Sequence, residues 1–444
     1  MAREKIFFIA IFISALVATP FAAYKTTAKY TENTKAKAKK EVYLTVFVHG
    51  SLTHLIKRPS IKRLSAIAKD EIEDTLYFDA TKIIRDNTFF RKNQPIQGLG
   101  LQKIDMDIKP GRPEAALGRT FNSLERWFHK KPGRFNRYYT YGWDGLISKK
   151  FRYKASQSFY RELADEIRRF EDQGIKTHTT IIGYSHGGNI ALNLGVVHTK
   201  DNPSYKISID RLVLIGVPLH KGIDYKIKSP IFKKVYNIYS SADRIQGLDL
   251  FAEGSLFSRQ TFVAREDFQL PKKLKQIRIR VVRNRTTKKR WNKKNDPRRN
   301  FKKTSIISGS SPLLRTISPA HLELWFFGWT RRGYRQHFPF NPIPMVALLP
   351  AILDAAQKYE KNHGSHLVVD LRPEQLVMIV KSNGIHTVTQ FLPEELLSDI
   401  KKLASQFSVK PNTKQEYERQ VKLAIKQASQ MRKARSKDSK NRQS

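Results

Sequence analysis

The chain contains no cysteine at all. Disulfides, thiolate metal sites and cysteine nucleophiles are therefore excluded, although the absence does not by itself name a compartment. Acidic residues are scarce beside basic ones, 39 Asp and Glu against 82 Lys and Arg. The resulting net charge of +43 is a large field of one sign, suited to anionic surfaces. No internal repeat is present. No run of His, Asp and Glu has metal-ligand spacing, so no metal is expected, and no other cofactor is implied. No nucleic-acid-binding motif is present either, which disfavours a nucleic-acid partner. One apolar run is long. Ile6 to Ala23 follows Arg3 and Lys5, the order of an export signal, and lies near the lower limit for spanning a bilayer. The expectation is an exported protein, periplasmic or secreted, or one held in the membrane by an uncleaved segment 1–24.

The 444 residues suffice for one large domain with appendages. Residues 25–40 form a Lys/Ala/Thr tether. Val42 to Val48 is an apolar, β-branched run of strand length ending in His49-Gly50-Ser51. Further strands are expected at Arg137–Tyr141, before Gly183, at Ile209–Val217, at Val235–Tyr239 and at Ile277–Val282. Helical spacing covers Ala155–Phe170, Asn189–Val197 and Pro344–Tyr359. Continuous apolar strands alternating with amphipathic helices predict an α/β fold, a mostly parallel sheet with helices on both faces.

Two stretches interrupt this pattern. Residues 52–134 separate the first strand from the next, far beyond ordinary connections, and suggest a cap. They include helical patterns at Ile61–Ile72 and Ala115–Phe128. Residues 284–303 hold ten basic residues against Asp296, with Trp291 and Phe301 among them. This loop is the expected contact with an anionic membrane surface. Residues 361–432 resemble a small α+β appendage, and 433–444 a disordered basic tail.

The most informative stretch is Thr179-Thr-Ile-Ile-Gly183-Tyr-Ser185-His-Gly187-Gly-Asn189. An apolar strand runs through Gly-x-Ser-x-Gly into an apolar helix, which is the setting of a nucleophile elbow. Glycines on both sides let strand and helix backbones approach, and the helix amino end behind the serine favours negative charge. A serine hydroxyl needs a base to become nucleophilic. Candidate histidines are His49, His186, His220, His321, His337, His363, His366 and His386. Candidate acids are Asp243, in Ser241-Ala-Asp243, and Asp249.

With Val48-His-Gly-Ser51, Gly183-Tyr-Ser-His-Gly187, Ser241-Ala-Asp243 and Ser318-Pro-Ala-His321 in this order, the chain resembles the α/β-hydrolase superfamily, and within it bacterial lipases and carboxylesterases. The resemblance covers residues 41–360, with the two interruptions unmatched. It implies Ser185 as nucleophile, His321 as base and Asp243 as its orienting acid. It also implies backbone N–H groups of Ser51 and His186 as an oxyanion hole. His337 is the rival base and Asp249 the rival acid. The implied function is a serine hydrolase cleaving carboxylic esters, lipid-like esters among them. Acyl transfer or amide cleavage by the same triad, and a non-catalytic membrane-associated binding protein on the same scaffold, are the alternatives.

Overall fold

The computed structural model describes residues 40–52, 69–107, 112–244, 258–282, 316–328, 335, 338, 340–358, 366–372, 376–406 and 414–441. Within them the apolar runs of the sequence become strands: β1 (Glu41–Val48), β2 (Gly100–Lys103), β3 (Arg134–Gly142), β4 (Lys176–Tyr184), β5 (Ile209–Ile215), β6 (Phe232–Tyr239), β7 (Leu274–Val282), β8 (Thr316–Ile317), β9 (His366–Arg372), β10 (Val377–Ser382) and β11 (Ile385–Gln390). All belong to one sheet, in the order β11-β10-β9-β7-β6-β5-β4-β1-β3-β2, with β8 pairing β7. From β9 to β3 neighbouring strands are parallel, while β2, β8, β10 and β11 pair antiparallel. The protein is thus α/β, with a mostly parallel sheet.

Alternation along each strand sends side chains to opposite faces. Phe47, Ile182, Tyr184, Val213, Ile215, Tyr236 and Ile277 enter one core, with Leu117, Phe121 and Leu124 of helix α3 (Pro113–Phe128) and Ile352 of α6 (Leu349–Lys358). Their neighbours Val46, Val48, Ile181, Leu212, Leu214 and Val235 enter the other, with Phe159, Leu163 and Ile167 of α4 (Lys149–Glu171) and Ile190 and Leu194 of α5 (His186–Lys200). Each such side chain contributes roughly 1.5–3 kcal/mol by leaving water, so the central strands are fixed from both sides.

Helix boundaries follow local chemistry. Ser148 caps α4, its hydroxyl accepting from the Phe151 N–H at 3.1 Å. Pro113 opens α3, where its missing N–H costs nothing.

Three expectations change. Residues 366–390 are not a separate module: β9 pairs with the free edge of β7, and Phe391, Leu392, Leu396 and Ile400 join the first core. An open edge beside alternating Leu367, Val369 and Leu371 is completed by pairing. A further parallel strand, β9, thus follows Ile277–Val282. The basic tail is not disordered through 433–441, because α8 (Lys414–Asn441) continues to Asn441. The 52–134 interruption is not wholly a cap. Its β2 extends the sheet beside β3, and its α3 covers one sheet face. The remaining helices of that stretch, α1 (Leu76–Asp86) and α2 (Thr88–Arg91), pack with Tyr417, Val421 and Ala424 of α8 around Leu52. Helix α7 (Glu394–Gln406) precedes α8.

The expected loop 284–303, the segment 1–24, most of the tether 25–40 and most of Ile61–Ile72 lie outside the described residues. Among the described residues no helix is long and apolar enough to cross a membrane, and no group of three His, Asp or Glu is placed to hold a metal ion.

Candidate active site

Ligands in open parallel sheets bind beyond the carboxyl ends of the strands. The predicted residues converge there. Ser185 follows β4, His49-Gly50-Ser51 follow β1, Asp243 follows β6, and His321 follows the short strand β8, which is paired to the end of β7.

Ser185 has φ 51° and ψ −131°, a strained conformation for a residue with a Cβ. Two backbone hydrogen bonds maintain it. Its N–H donates to the Ile215 carbonyl at 2.9 Å and its carbonyl accepts from Gly188 N–H at 2.9 Å. The flanking glycines permit the crossing: a Cβ on Gly183 would stand 2.5 Å from Gly188 Cα, and one on Gly187 only 2.2 Å from the His49 carbonyl oxygen. The loop after β1 is equally close. A Cβ on Gly50 would lie 2.9 Å from Ser185 Cβ.

Asp243 and His321 form a buried pair. Asp243 Oδ2 lies 2.7 Å from His321 Nδ1. A carboxylate partner assigns the proton to Nδ1, so Nε2 carries the lone pair that a general base requires. The two residues are 1% and 4% exposed. Gly216 lies against both, where a Cβ would meet Asp243 Oδ2 at 2.9 Å and His321 Nδ1 at 3.3 Å, and its φ of +57° suits glycine. Gly216 directly follows Ile215, the residue that holds the Ser185 amide. One residue of β5's continuation thus separates the anchor of the serine from the Asp–His pair.

The loops bearing the pair are tied together. Ser240 Oγ donates to the Pro319 carbonyl, and Ser241 and Ser318 share a hydroxyl–hydroxyl bond of 2.9 Å. Gln260 Nε2 donates to the Asp243 carbonyl at 2.8 Å. Glu323 accepts from the Ala320 N–H at 2.7 Å, bracing the turn at His321. Tyr184, the residue before the serine, donates its hydroxyl to the His321 carbonyl at 3.1 Å and stacks on Trp325, with ring centroids 5.0 Å apart. Burial holds the Tyr184 phenol well above its usual pKa, so it remains a donor.

On the opposite side His49 is an internal brace. Its Nδ1 lies 2.7 Å from the Gly50 carbonyl, and the Trp143 N–H donates to its Nε2 at 3.2 Å. Both contacts require the neutral ring protonated on Nδ1. Burial, and then the nearby Arg85 cation, push its pKa down to about 3. Trp143 also donates its indole N–H to the His49 carbonyl at 2.8 Å. The Leu52 N–H donates to the Gly145 carbonyl at 3.2 Å, fixing the chain on either side of Ser51. Arg85 is itself buried and donates to the carbonyls of Trp143, Gln97 and Gly98. Burial lowers its pKa to about 10, which leaves it cationic at neutral pH.

His186 begins α5. Its ring nitrogen Nδ1 lies 3.3 Å from both Arg152 Nη1 and Asn189 Nδ2. Two donors converge on Nδ1, so this ring too is anchored, and its backbone N–H belongs to the first turn of the helix, whose N–H groups point out along the axis. The structure therefore brings Ser185, His321, Asp243 and the backbone at Ser51 and His186 to one strand-end cluster.

The other candidates fall elsewhere. His220 is buried after β5, His366 on β9 bonds the Tyr239 hydroxyl, and His386 is exposed on β11. Asp249, His337 and His363 lie outside the described residues. The sequence reading missed Tyr184, Gly216, Trp143 and Arg152 as parts of the site. The repeated Ser-x-Ala before both Asp243 and His321 was the only available signal of the stitched loops. Comparison with protein-family models, with curated proteins and with solved structures yields no match.

Proposed function

We propose that the protein is a serine hydrolase of the α/β-hydrolase type that cleaves carboxylic esters. The observation that carries the reading is the strained Ser185 at a strand-to-helix elbow, whose amide is held by Ile215, the residue before the Gly216 that lies against a buried Asp243–His321 pair. The chain order Ser, Asp, His is the order this fold uses.

In this reading Ser185 Oγ attacks the ester carbonyl carbon while His321 Nε2 takes its proton. Asp243 keeps the imidazole oriented and stabilises the cation formed. The carbonyl oxygen becomes an oxyanion facing the backbone N–H groups of Ser51 and His186, each such donor typically contributing about 3 kcal/mol. The carbon–oxygen bond to the leaving alcohol then breaks, and His321 returns the proton to that alcohol. Water repeats the sequence on the acyl-enzyme, releasing the acid and restoring Ser185. A lipid-like ester, an exported or membrane-held location and an anionic membrane partner belong to the same proposal. They are supported by the apolar Ile6–Ala23 segment and the net charge of +43. Amide cleavage or acyl transfer would use the same groups, and a non-catalytic binder would not need the Asp–His pair.

A fluorophosphonate probe tests the reading. The folded wild-type chain should be labelled at one site, and Ser185→Ala should abolish the label. Persistent labelling of a folded Ser185→Ala protein would overturn the nucleophile assignment. Absence of labelling in the wild type would favour the non-catalytic alternative.

A further inference from the structure

Helix α8 has two different faces. Tyr417, Val421 and Ala424 pack with Ile84, Phe90, Ile96 and Leu52, the residue after Ser51. Arg432 and Arg435 reach Asp79 of α1 at 3.0 and 3.3 Å. These contacts join α8 to the chain that leaves the site.

Beside that contact lies a groove of about 430 Å³ between α8 and the start of α1. Leu76 and Ile425 line it with apolar surface. Lys422, Lys426 and Lys433 border it, with Ser429 and Gln430 between them. The lysines stand four and eleven residues apart, so they share one helix face and span roughly 16 Å along it. From Arg419 to Lys437 the helix has seven basic residues and no acid. Asp79 takes two of the arginines and Glu416 pairs with Arg419. None of the three groove lysines pairs with a carboxylate among the described residues, although all are exposed. The next residue after Lys422, Leu423, is 48% exposed.

Three uncompensated ammonium groups over an apolar floor match a ligand that is anionic at one end and apolar behind it. Lysine stems lie along apolar surface while their heads reach outward. A soluble phosphate would not use Leu76, Ile425 or Leu423, and a nucleic acid would gain little from them. We propose that this groove is the docking site for an anionic phospholipid headgroup, seating the α8 side of the protein on an acidic bilayer. This names the surface at which the proposed ester hydrolase meets its substrate, and it rests on that reading for its purpose alone.

The test keeps binding apart from catalysis. Full-length Ser185→Ala protein is mixed with vesicles of phosphatidylcholine alone, or with about a third phosphatidylglycerol, and the bound fraction is measured by sedimentation. The difference between the two vesicles isolates the anionic contribution, since any insertion of Ile6–Ala23 is common to both. Lys422→Gln/Lys426→Gln/Lys433→Gln should weaken the phosphatidylglycerol-dependent part about tenfold or more. The equally charged control Lys103→Gln/Lys272→Gln/Lys401→Gln, all exposed positions on β2, before β7 and on α7, should weaken it less than about threefold. Ile425→Asn should also weaken it while circular dichroism stays unchanged. Equal losses from the two triple variants would overturn the site in favour of a diffuse field. So would binding that ignores phosphatidylglycerol, or that millimolar inorganic phosphate or duplex DNA abolishes. If fluorophosphonate labelling of the wild type fails while the vesicle pattern holds, the hydrolase reading falls and the docking site stands.

Discussion

The two sides of the candidate site are built from opposite materials. The Asp243–His321 side is held by a carboxylate and by side-chain hydroxyls that cross between two loops. The His49–Ser51 side is held by backbone carbonyls, an indole and a buried cation, Arg85. Both sides contain a nearly buried histidine, yet the partners give the rings different roles. In the proposed reaction the Asp243 carboxylate, lying on Nδ1, orients the His321 ring so that Nε2 faces the serine proton. His49 spends both nitrogens on backbone groups and sits near a fixed positive charge, so protonation there would break a hydrogen bond and bury a second charge. Burial alone does not make a histidine a base; the charge of its neighbour does. A basic environment on one side and an acidic one on the other also matches the chemistry proposed. The oxyanion would form beside positive and N–H groups, and the imidazolium beside a carboxylate.

If the two sides act through one nucleophile, their contributions cannot be independent. Ser185→Ala should lower ester turnover by about five to six orders of magnitude, and adding His321→Ala should cost little more, since residues of a triad act as a unit. Additive losses, measured as kcat in the single and double variants, would separate His321 from the serine. Asp243→Asn should follow, with kcat falling about 10⁴-fold while KM and the fold persist, because the amide cannot hold the Nδ1-protonated tautomer. A comparable loss from Asp249→Asn, with Asp243→Asn near wild type, would move the acid to the rival position.

The sequence made the elbow at Ser185 more legible than the two sides that flank it. Gly183, Ser185 and Gly187 stand in one pentapeptide, and the strand and helix around them have periods of two and about 3.6 that can be read locally. The central strands are read from their carboxyl-terminal halves, which are mostly apolar and buried on both faces. What escaped reading depends on contacts distant along the chain. Trp143 braces His49 across 94 positions, and Tyr184 reaches the His321 carbonyl across 137. Gly216 has no local signature, since the side chains that a Cβ there would meet, Asp243 and His321, are distant along the chain. The C-terminal strands are legible as strands, but nothing local joins them to the sheet. Their partner, the outer edge of β7, is more than eighty positions earlier, and periodicity reports which residues pair with a core but not which strand they join. Likewise the spacing shows α3 as a helix but not its place, because a long insertion conceals whether its elements leave the body or return to it.

The contrast between the histidines predicts a pH response. The folded pKa of His49 is about 3 against 6.5 for the exposed ring. In this window the unfolded chain binds the proton and the folded chain does not, so unfolding becomes easier as pH falls. The contribution is fully present above about pH 6.5 and is lost progressively from there toward about pH 3, by roughly 1.4 kcal/mol per unit at most. Urea denaturation at pH 7 and pH 5 should therefore show a fall in stability that His49→Gln reduces. An unchanged pH slope in His49→Gln, with the variant folded, would mean that the ring is not held neutral. His49→Gln should also lower kcat, since Gly50 and Ser51 would lose their brace.

The smallest expected effect concerns the hydroxyl bonds between the loops of the acid and the base. Ser240 holds the Pro319 carbonyl and Ser241 holds Ser318, so the loop of Asp243 is registered against that of His321 before the carboxylate and imidazole meet. A single neutral hydrogen bond contributes about 1 kcal/mol net, and more when its loss leaves a buried acceptor unpaired. Ser240 is fully buried, whereas the Ser241–Ser318 bond is solvent-exposed. Ser240→Ala should thus cost about 1–3 kcal/mol in stability, leaving the Pro319 carbonyl without its donor, and Ser318→Ala under about 1 kcal/mol. The catalytic consequence should have the same order. A small displacement of His321 relative to Ser185 lowers kcat before it affects KM, because the misalignment is felt where the proton moves. If Ser240→Ala lowered stability as expected but left kcat untouched, the pair would be aligned by Gly216 and Tyr184 alone, and the stitching between the loops would be structural.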